Sequence, residues 1–150
     1  MDRMTIRTSI VPGLFTALLV VLGGCSPQFK PTDLDGTWIG QDHTINSRGK
    51  SLTTKQITLN VDSDGLITGE TTWTLVEGPG GNHNDKPVTS DAEEVMGAFD
   101  ASTGEFYLVE TRENGMWHGR MLSKDRLRAF LVQTGEKPVV ATVELERQFD

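Results

Sequence analysis

The chain has 150 residues and a net charge of −7, with 14 Lys and Arg against 21 Asp and Glu. This length suits a single domain with one core. The acidic balance argues against nucleic acid and anionic lipid surfaces as partners, because both carry negative charge. Only one cysteine is present, so a disulfide within the chain is excluded and the core must hold the fold.

The first 24 residues have the features of an export signal. Arg3 and Arg7 form a basic region, and a mainly apolar run follows over Ile10–Leu22. That run is shorter than the roughly 20 residues of a transmembrane helix, and it has the length of a signal-peptide core. It ends in the tetrapeptide Leu-Gly-Gly-Cys, whose last residue is Cys25. This segment resembles a bacterial lipoprotein signal, in which leucine and two small residues precede the cysteine at the cleavage site.

The resemblance implies cleavage before Cys25, diacylglycerol on its sulfur and acylation of the new amino terminus. Several acyl chains make a firm anchor, so the protein would be attached to the membrane of the bacterial cell envelope without spanning it. Ser26, where an aspartate would retain an enterobacterial lipoprotein at the inner membrane, favours the outer membrane. The alternative is an ordinary buried cysteine, which the sequence Gly-Gly-Cys-Ser-Pro disfavours.

The mature chain divides into a tether and a domain. Residues 25–33 contain Pro27 and Pro31 and are predicted to form a short lipidated tether. Residues 34–150 are predicted to form the folded domain. Without the charged leader residues Asp2, Arg3 and Arg7, 12 basic and 20 acidic residues remain, a net charge of −8.

The predicted domain has an all-β composition. Thr, Gly, Val and Trp are plentiful, and no segment keeps a helical period. Alternating apolar residues predict strands, most clearly at Ile57, Leu59 and Val61, which share a face. Short turns separate the strands, and Asn114-Gly115 is the strongest hairpin signal. Eight strands joined by hairpins predict an antiparallel up-and-down (meander) barrel, with an open sandwich as the alternative.

Three segments depart from this regular pattern. Thr44–Thr53 and Glu77–Asp91 are predicted to be the two long loops. Glu93–Phe99 is predicted to be a weaker strand or a helical turn, because it includes helix-forming residues. In an eight-stranded meander both loops follow odd-numbered strands, so they lie at the same end of the barrel. That end is predicted to be open, which is where barrel pockets are found.

The opening Gly36-Thr37-Trp38, the eight strands and Arg147 near the end of the last strand resemble the calycin barrels, the superfamily of lipocalins and avidins. The resemblance implies that Trp38 closes one end of the barrel and that Arg147 packs on its indole as a cation–π pair. It does not extend to biotin binding, since Gly40 stands where avidins have an asparagine that contacts biotin. The later acidic motifs of lipocalins are also not recognisable.

Four residues are predicted to form a ligand-binding site at the open end: Trp73, Glu110, Arg112 and Trp117. A two-residue loop at Asn114-Gly115 places Arg112 opposite Trp117 on the inner face, beside Glu110. These side chains would form an aromatic mouth with one charge pair, suited to a small amphipathic or charged ligand. The alternative is a filled core, because small eight-stranded barrels are often just wide enough for their own side chains.

Two functions are consistent with these features. The first is a lipid-anchored barrel that binds a small amphipathic ligand at its open end. The second is a protein-interaction module, either an envelope assembly factor or a barrel of the protease-inhibitor type, with the two long loops as its contact surface. No catalytic motif or phosphate loop is evident, so we expect neither an enzyme nor a cofactor. His83 beside Asp85 and Asp91 is more typical of a solvated turn than of a metal site, so no metal is expected.

Overall fold

The computed structural model of the protein describes residues 28–83 and 86–149. The predicted signal peptide over 1–24 and the predicted lipidation site Cys25 lie outside the described residues. Among the described residues, no helix is long and apolar enough to cross a membrane. Within these two ranges, a short 3₁₀ helix, Pro31–Asp33, precedes ten strands: β1 (Gly36–Asn46), β2 (Gly49–Val61), β3 (Leu66–Glu77), β4 (Gly81–His83), β5 (Lys86–Val88), β6 (Ser90–Asp100), β7 (Glu105–Glu110), β8 (Gly115–Ser123), β9 (Arg126–Gln133) and β10 (Val139–Arg147).

Eight of these strands close into an antiparallel barrel in the order β1-β10-β9-β8-β7-β6-β3-β2. Pairing of β1 with β10 completes the ring, with Trp38 opposite Arg147 and Thr44 opposite Ala141. Strands β4 and β5 form a separate hairpin between β3 and β6. The predicted eight-stranded up-and-down barrel is therefore confirmed, and a closed ring excludes the open sandwich. The segment Glu93–Phe99 belongs to β6, so the helical-turn alternative is wrong.

One half of the barrel interior is filled with apolar side chains. Ile57 and Leu59, predicted to share a face, are both fully buried there, and Val61 packs against them at the end of β2. Further buried apolar side chains come from the other seven barrel strands, as alternation along each strand requires: Trp38, Ile67, Val95, Phe99, Phe106, Leu108, Met121, Leu127, Val143 and Leu145. This half is the dry core that stabilises the fold.

Trp38 and Arg147 meet at the end of this core, which we call the closed end. The guanidinium carbon of Arg147 lies 4.1 Å from the Trp38 ring centroid. Arg147 also donates to the carbonyl oxygens of Asp33, Asp35 (2.6 Å) and Lys124 (3.0 Å). The Trp38 indole N–H donates to the carbonyl of Leu34 at 3.0 Å. One arginine thus ties the chain before β1 to the end of β10.

Phe29 also covers the closed end, although it lies within the predicted tether. Its side chain is 5% exposed, and its backbone N–H donates to the carbonyl of Ala101 at 3.1 Å. Its ring lies so close to Gly104 that a Cβ there would come within 2.6 Å. The packed part of the domain therefore includes Phe29, before the predicted boundary at residue 34.

The prediction that Thr44–Thr53 forms a long loop is wrong. Strand β1 runs to Asn46 and β2 starts at Gly49, so only Ser47 and Arg48 form the turn. The inward residues of this hairpin are hydroxyl-bearing rather than apolar, and the apolar alternation that marks a strand is lost. The predicted loop Glu77–Asp91 is also more ordered than expected, because it contains the β4–β5 hairpin and the first residues of β6.

Candidate functional site

A cavity opens at the end of the barrel opposite Trp38, where the described residues 47–48, 78–83, 86–89, 111–114 and 134–138 connect the strands. We call this the open end. The centre of a water molecule can occupy about 100 Å³ of the cavity. One water needs roughly 10–15 Å³ on this measure, so there is room for several waters or for a small ligand. The lining includes Thr44, Ser51, Thr53, Lys55, Thr71, Trp73, Asn82, Glu110, Trp117, Leu131 and Lys137.

Trp73 forms one wall of the cavity and is half-buried. Its ring lies against Gly81 of β4, where an added Cβ would come within 2.9 Å of the ring carbons. Gly81 thus permits a close approach that any larger residue would prevent. The β4–β5 hairpin therefore contacts this tryptophan and lines the same cavity through Gly81, Asn82 and Val88.

Trp117 and Glu110 form the wall on β7 and β8. The Trp117 side chain is 3% exposed, and its indole N–H donates to Glu110 Oε1 at 3.1 Å. The Glu110 carboxylate lies over Gly115, where a Cβ would be 1.8 Å from Oε2. Burial raises the pKa of Glu110, the Trp117 hydrogen bond opposes this, and the charges of Glu93 and other acidic neighbours raise it further. These contacts fix the carboxylate in place, and it forms no ion pair with any residue that the structure describes.

Arg112 does not join this wall, contrary to the prediction. The β7–β8 loop runs over residues 111–114, and Leu108, not Arg112, pairs with Trp117. The Arg112 side chain is 63% exposed and pairs with Glu93 at 3.2 Å. The register was wrong because Gly115 begins β8 beneath Glu110 instead of forming a two-residue turn. The structure therefore brings together Trp73, Glu110 and Trp117 and leaves Arg112 outside the cavity.

Lys55 is the principal residue that the sequence reasoning missed. Its side chain points into the barrel and is 3% exposed. The ammonium donates to Thr44 Oγ1 at 2.8 Å and to Thr53 Oγ1 at 2.6 Å. Burial lowers its pKa from 10.5 to about 8, and the charge of Asp42 opposes this effect. None of the ion pairs in the described part of the chain includes Lys55.

A signal for Lys55 was present in the sequence. Ile57 and Leu59 are predicted to share a face, and alternation continued toward the amino terminus places Lys55, Thr53 and Ser51 on the same face. All three are buried. A lysine within a run of polar residues is, however, also typical of a solvated loop.

Two other acidic residues at the open end already have cations. Lys137 lies 2.7 Å from Glu113, which also accepts a hydrogen bond from the Gln133 amide at 2.6 Å. Glu93 pairs with Arg112. Asn82 lines the same cavity, and its side-chain oxygen is buried without a hydrogen-bond partner among the described residues. Among the described residues that line the cavity, Lys55, Glu110 and the exposed Asp91 form no ion pair, and the Asn82 oxygen has no hydrogen-bond partner.

Comparison with known proteins supports the fold. No protein-family model and no curated protein matches the chain. Among solved structures, a protein of unknown function from the DUF3598 family of Nostoc punctiforme has a TM-score of 0.50 and 17% identity over 82% of this chain. This chain spans half (50%) of that protein's length. The structure of EF1p2_mFAP2b bound to DFHBI has a TM-score of 0.51 and 15% identity, covering 82% of this chain and 100% of that one. At 17% and 15% identity, these β-barrel neighbours show likeness in fold alone.

Proposed function

We propose that this protein is a lipid-anchored lipoprotein of the bacterial cell envelope, and that its barrel binds a small amphipathic ligand at the open end. The observation that carries the binding proposal is the cavity itself. The barrel's inner wall changes from apolar at the closed end to aromatic and polar at the open end, where space remains. Concave sites with aromatic walls and a few fixed polar groups are typical of small-molecule binding.

The composition of the cavity supports a binding role over a merely loose core. Burying a charged group costs free energy unless it is paired, and apolar residues of similar size would stabilise the barrel more. Lys55 and Glu110 are nevertheless placed on the cavity wall and held there by hydroxyl and indole groups. Proteins commonly give up stability in this way where a polar site serves a function. The role is binding rather than catalysis.

The alternative of a protein-interaction module is less well supported. It depended on two long loops as a contact surface, and one of them, Thr44–Thr53, is part of a regular hairpin. Only the region between β3 and β6 is left to serve as such a surface.

The anchor proposal has a geometric consequence. Cys25 precedes Phe29, which packs at the closed end, by four residues. Four residues reach at most about 14 Å. A lipid on Cys25 would therefore hold the closed end near the bilayer and direct the open end away from it.

Tryptophan fluorescence tests the binding proposal. The chain beginning at Ser26 would be titrated with fatty acids, lysophospholipids, haem and small metabolites. We expect saturable quenching or a blue shift with at least one class, lost in Trp117→Ala. Met116→Ala is the matched control, since Met116 is the neighbour of Trp117 on the outer face and is 53% exposed. A flat response of the folded protein to the whole panel would contradict binding.

Membrane fractionation tests the anchor separately. Full-length protein should appear in the membrane fraction and incorporate labelled palmitate, and Cys25→Ser should abolish both. Ser26→Asp, which keeps the cysteine, should keep the lipid but shift the protein to the inner membrane in an enterobacterial host. Unchanged membrane association of Cys25→Ser would show that the lipid is not the anchor.

A further inference from the structure

Two opposite charges on the cavity wall, the buried Lys55 and the half-buried Glu110, form no ion pair with each other or with any other described residue, whereas the third unpaired charge of the lining, Asp91, is exposed. Lys55 lies on β2 and Glu110 on β7, strands that are not neighbours in the barrel ring. Both line the same cavity. Neither takes part in the six ion pairs of the described residues, which join other arginines and lysines to other carboxylates. The space between them is where a ligand would lie.

Lys55 presents a positive group with unused bonding capacity. An ammonium has three donors, and the hydroxyls of Thr44 and Thr53 accept two of them. These two hydroxyls also lie 3.1 Å apart and bond each other. The amine position is therefore fixed, while no described residue accepts its third donor or forms an ion pair with it. An oxyanion would satisfy both in a short charge-assisted hydrogen bond.

Glu110, on β7, presents a negative group to the same cavity. One oxygen accepts the Trp117 indole N–H, while the other lies over Gly115. Among the described carboxylates that line the cavity, Glu93 and Glu113 are paired with cations and Asp91 is exposed, so Glu110 is the half-buried carboxylate without a cation. The unsatisfied oxygen of Asn82 adds a second acceptor at the open end. A protonated amine carries several hydrogen-bond donors and would satisfy both acceptors. The aromatic wall also attracts a cation.

The pKa directions agree with this geometry. Burial is the largest cause for each group: it lowers the pKa of Lys55 and raises that of Glu110. Each group is thus shifted toward its neutral form, as expected for a buried charge that lacks its partner.

We propose that the ligand is a small amphoteric molecule, whose oxyanion pairs with Lys55 and whose amine pairs with Glu110 while its apolar body lies between Trp73 and Trp117. This rests on the proposed function of small-molecule binding and specifies its ligand class. A simple acid would leave Glu110 unpaired, and a simple amine would leave Lys55 unpaired. A purely apolar molecule would leave both charges buried without partners.

Matched ligands of equal length test the proposal by calorimetry near neutral pH. The probes are straight-chain ω-amino acids from four to eight carbons, with the acid and the amine of each length. At the length that spans the cavity, the amino acid should bind at least about tenfold more tightly than either single-charge analogue, a difference of about 1.4 kcal/mol. Equal or weaker binding of the amino acid at every length would overturn the proposal.

Two variants assign the ends of the ligand. In Lys55→Met, the amino acid should bind no better than the amine; in Glu110→Gln, it should bind no better than the acid. Lys50→Met on the outer face of β2 and Glu94→Gln on the outer face of β6 are matched controls and should keep the full preference. Circular dichroism of each variant checks folding. Loss of the preference in the controls, or its retention in both cavity variants, would also overturn the proposal.

The outcomes separate this proposal from the proposed function. If apolar ligands of the fluorescence panel bind but charged ends add nothing, small-molecule binding stands and the amphoteric ligand is wrong. If no compound of either set binds the folded protein, both are wrong.

Discussion

Replacing Lys55 with methionine is expected to make the protein more stable near neutral pH. The pKa of Lys55 falls from 10.5 to about 8 on folding. At about 1.4 kcal/mol per tenfold change in proton affinity, this corresponds to about 3 kcal/mol of cost for the folded ammonium. The variant also loses the two hydrogen bonds to Thr44 and Thr53, which reduces its gain in the free energy of unfolding by about 1 kcal/mol. The hydroxyls still bond each other, and Thr53 also reaches the Asp42 carbonyl at 3.4 Å. A net gain of about 2 kcal/mol follows.

The gain should depend on pH in a defined direction. Below about pH 8 the folded lysine is charged, and the full cost is present. Between about 8 and 10.5 the unfolded chain still binds the proton while the folded chain does not. Since stability rises with pH wherever the unfolded state binds more protons, the wild type gains stability across this window. The variant lacks the amine, so its advantage should shrink as pH rises toward 10.5.

Urea unfolding of both proteins at a series of pH values measures this difference, because subtraction removes the titration of all other groups. Lys50→Met, on the outer face of the same strand, is the control and should change the free energy of unfolding by less than about 0.5 kcal/mol. A Lys55→Met variant less stable than the wild type near neutral pH would refute the reasoning. A difference that stays constant between pH 8 and 10.5 would refute it equally.

Three further predictions follow from individual contacts. Gly115→Ala places a Cβ against the Glu110 carboxylate and should weaken amine binding about tenfold in calorimetry, with little change in melting temperature because a flexible side chain can move away. Arg147→Leu should lower the free energy of unfolding by about 2–4 kcal/mol, because it removes the contact with Trp38 and leaves the carbonyl oxygens of Asp35 and Lys124 without this donor. Urea unfolding measures the change, and Arg126→Leu, at an exposed arginine, is the control. The affinity for a carboxylate ligand should fall as pH rises through about 8, because Lys55 loses its proton in that range. An affinity that does not change across this pH range would exclude Lys55 as the anion site.

The sequence predicts the closed half of the barrel well for a physical reason. Where the interior is dry, inward residues must be apolar, and the alternation of Ile57 and Leu59 with polar neighbours reveals both the strand and its inner face. The same rule fails at the open end. Around a wet cavity the inward residues are themselves polar, as at Thr44, Thr53 and Lys55, so the strand resembles a loop. The error in predicting Thr44–Thr53 and the failure to find Lys55 have this single cause.

The position of Arg112 shows a different limit. Asn-Gly is a strong hairpin signal because both residues tolerate positive φ. Here the loop ends at Asn114, and Gly115 is used for a close approach, since it leaves space for the Glu110 carboxylate. The two uses of glycine cannot be told apart from local sequence. The inward face of Glu110 and Trp117 was still predicted, because the predicted and observed registers differ by an even number of residues.

The most direct test of a polar binding cavity is the pKa of Lys55, measured by NMR of the labelled lysine side chains and assigned with Lys55→Met. We predict a pKa near 8 in the free protein. Addition of the best-binding ω-amino acid should raise it toward 10.5, because the bound carboxylate stabilises the ammonium. An ordinary lysine pKa in the free protein, or no change at a saturating ligand concentration, would contradict the account.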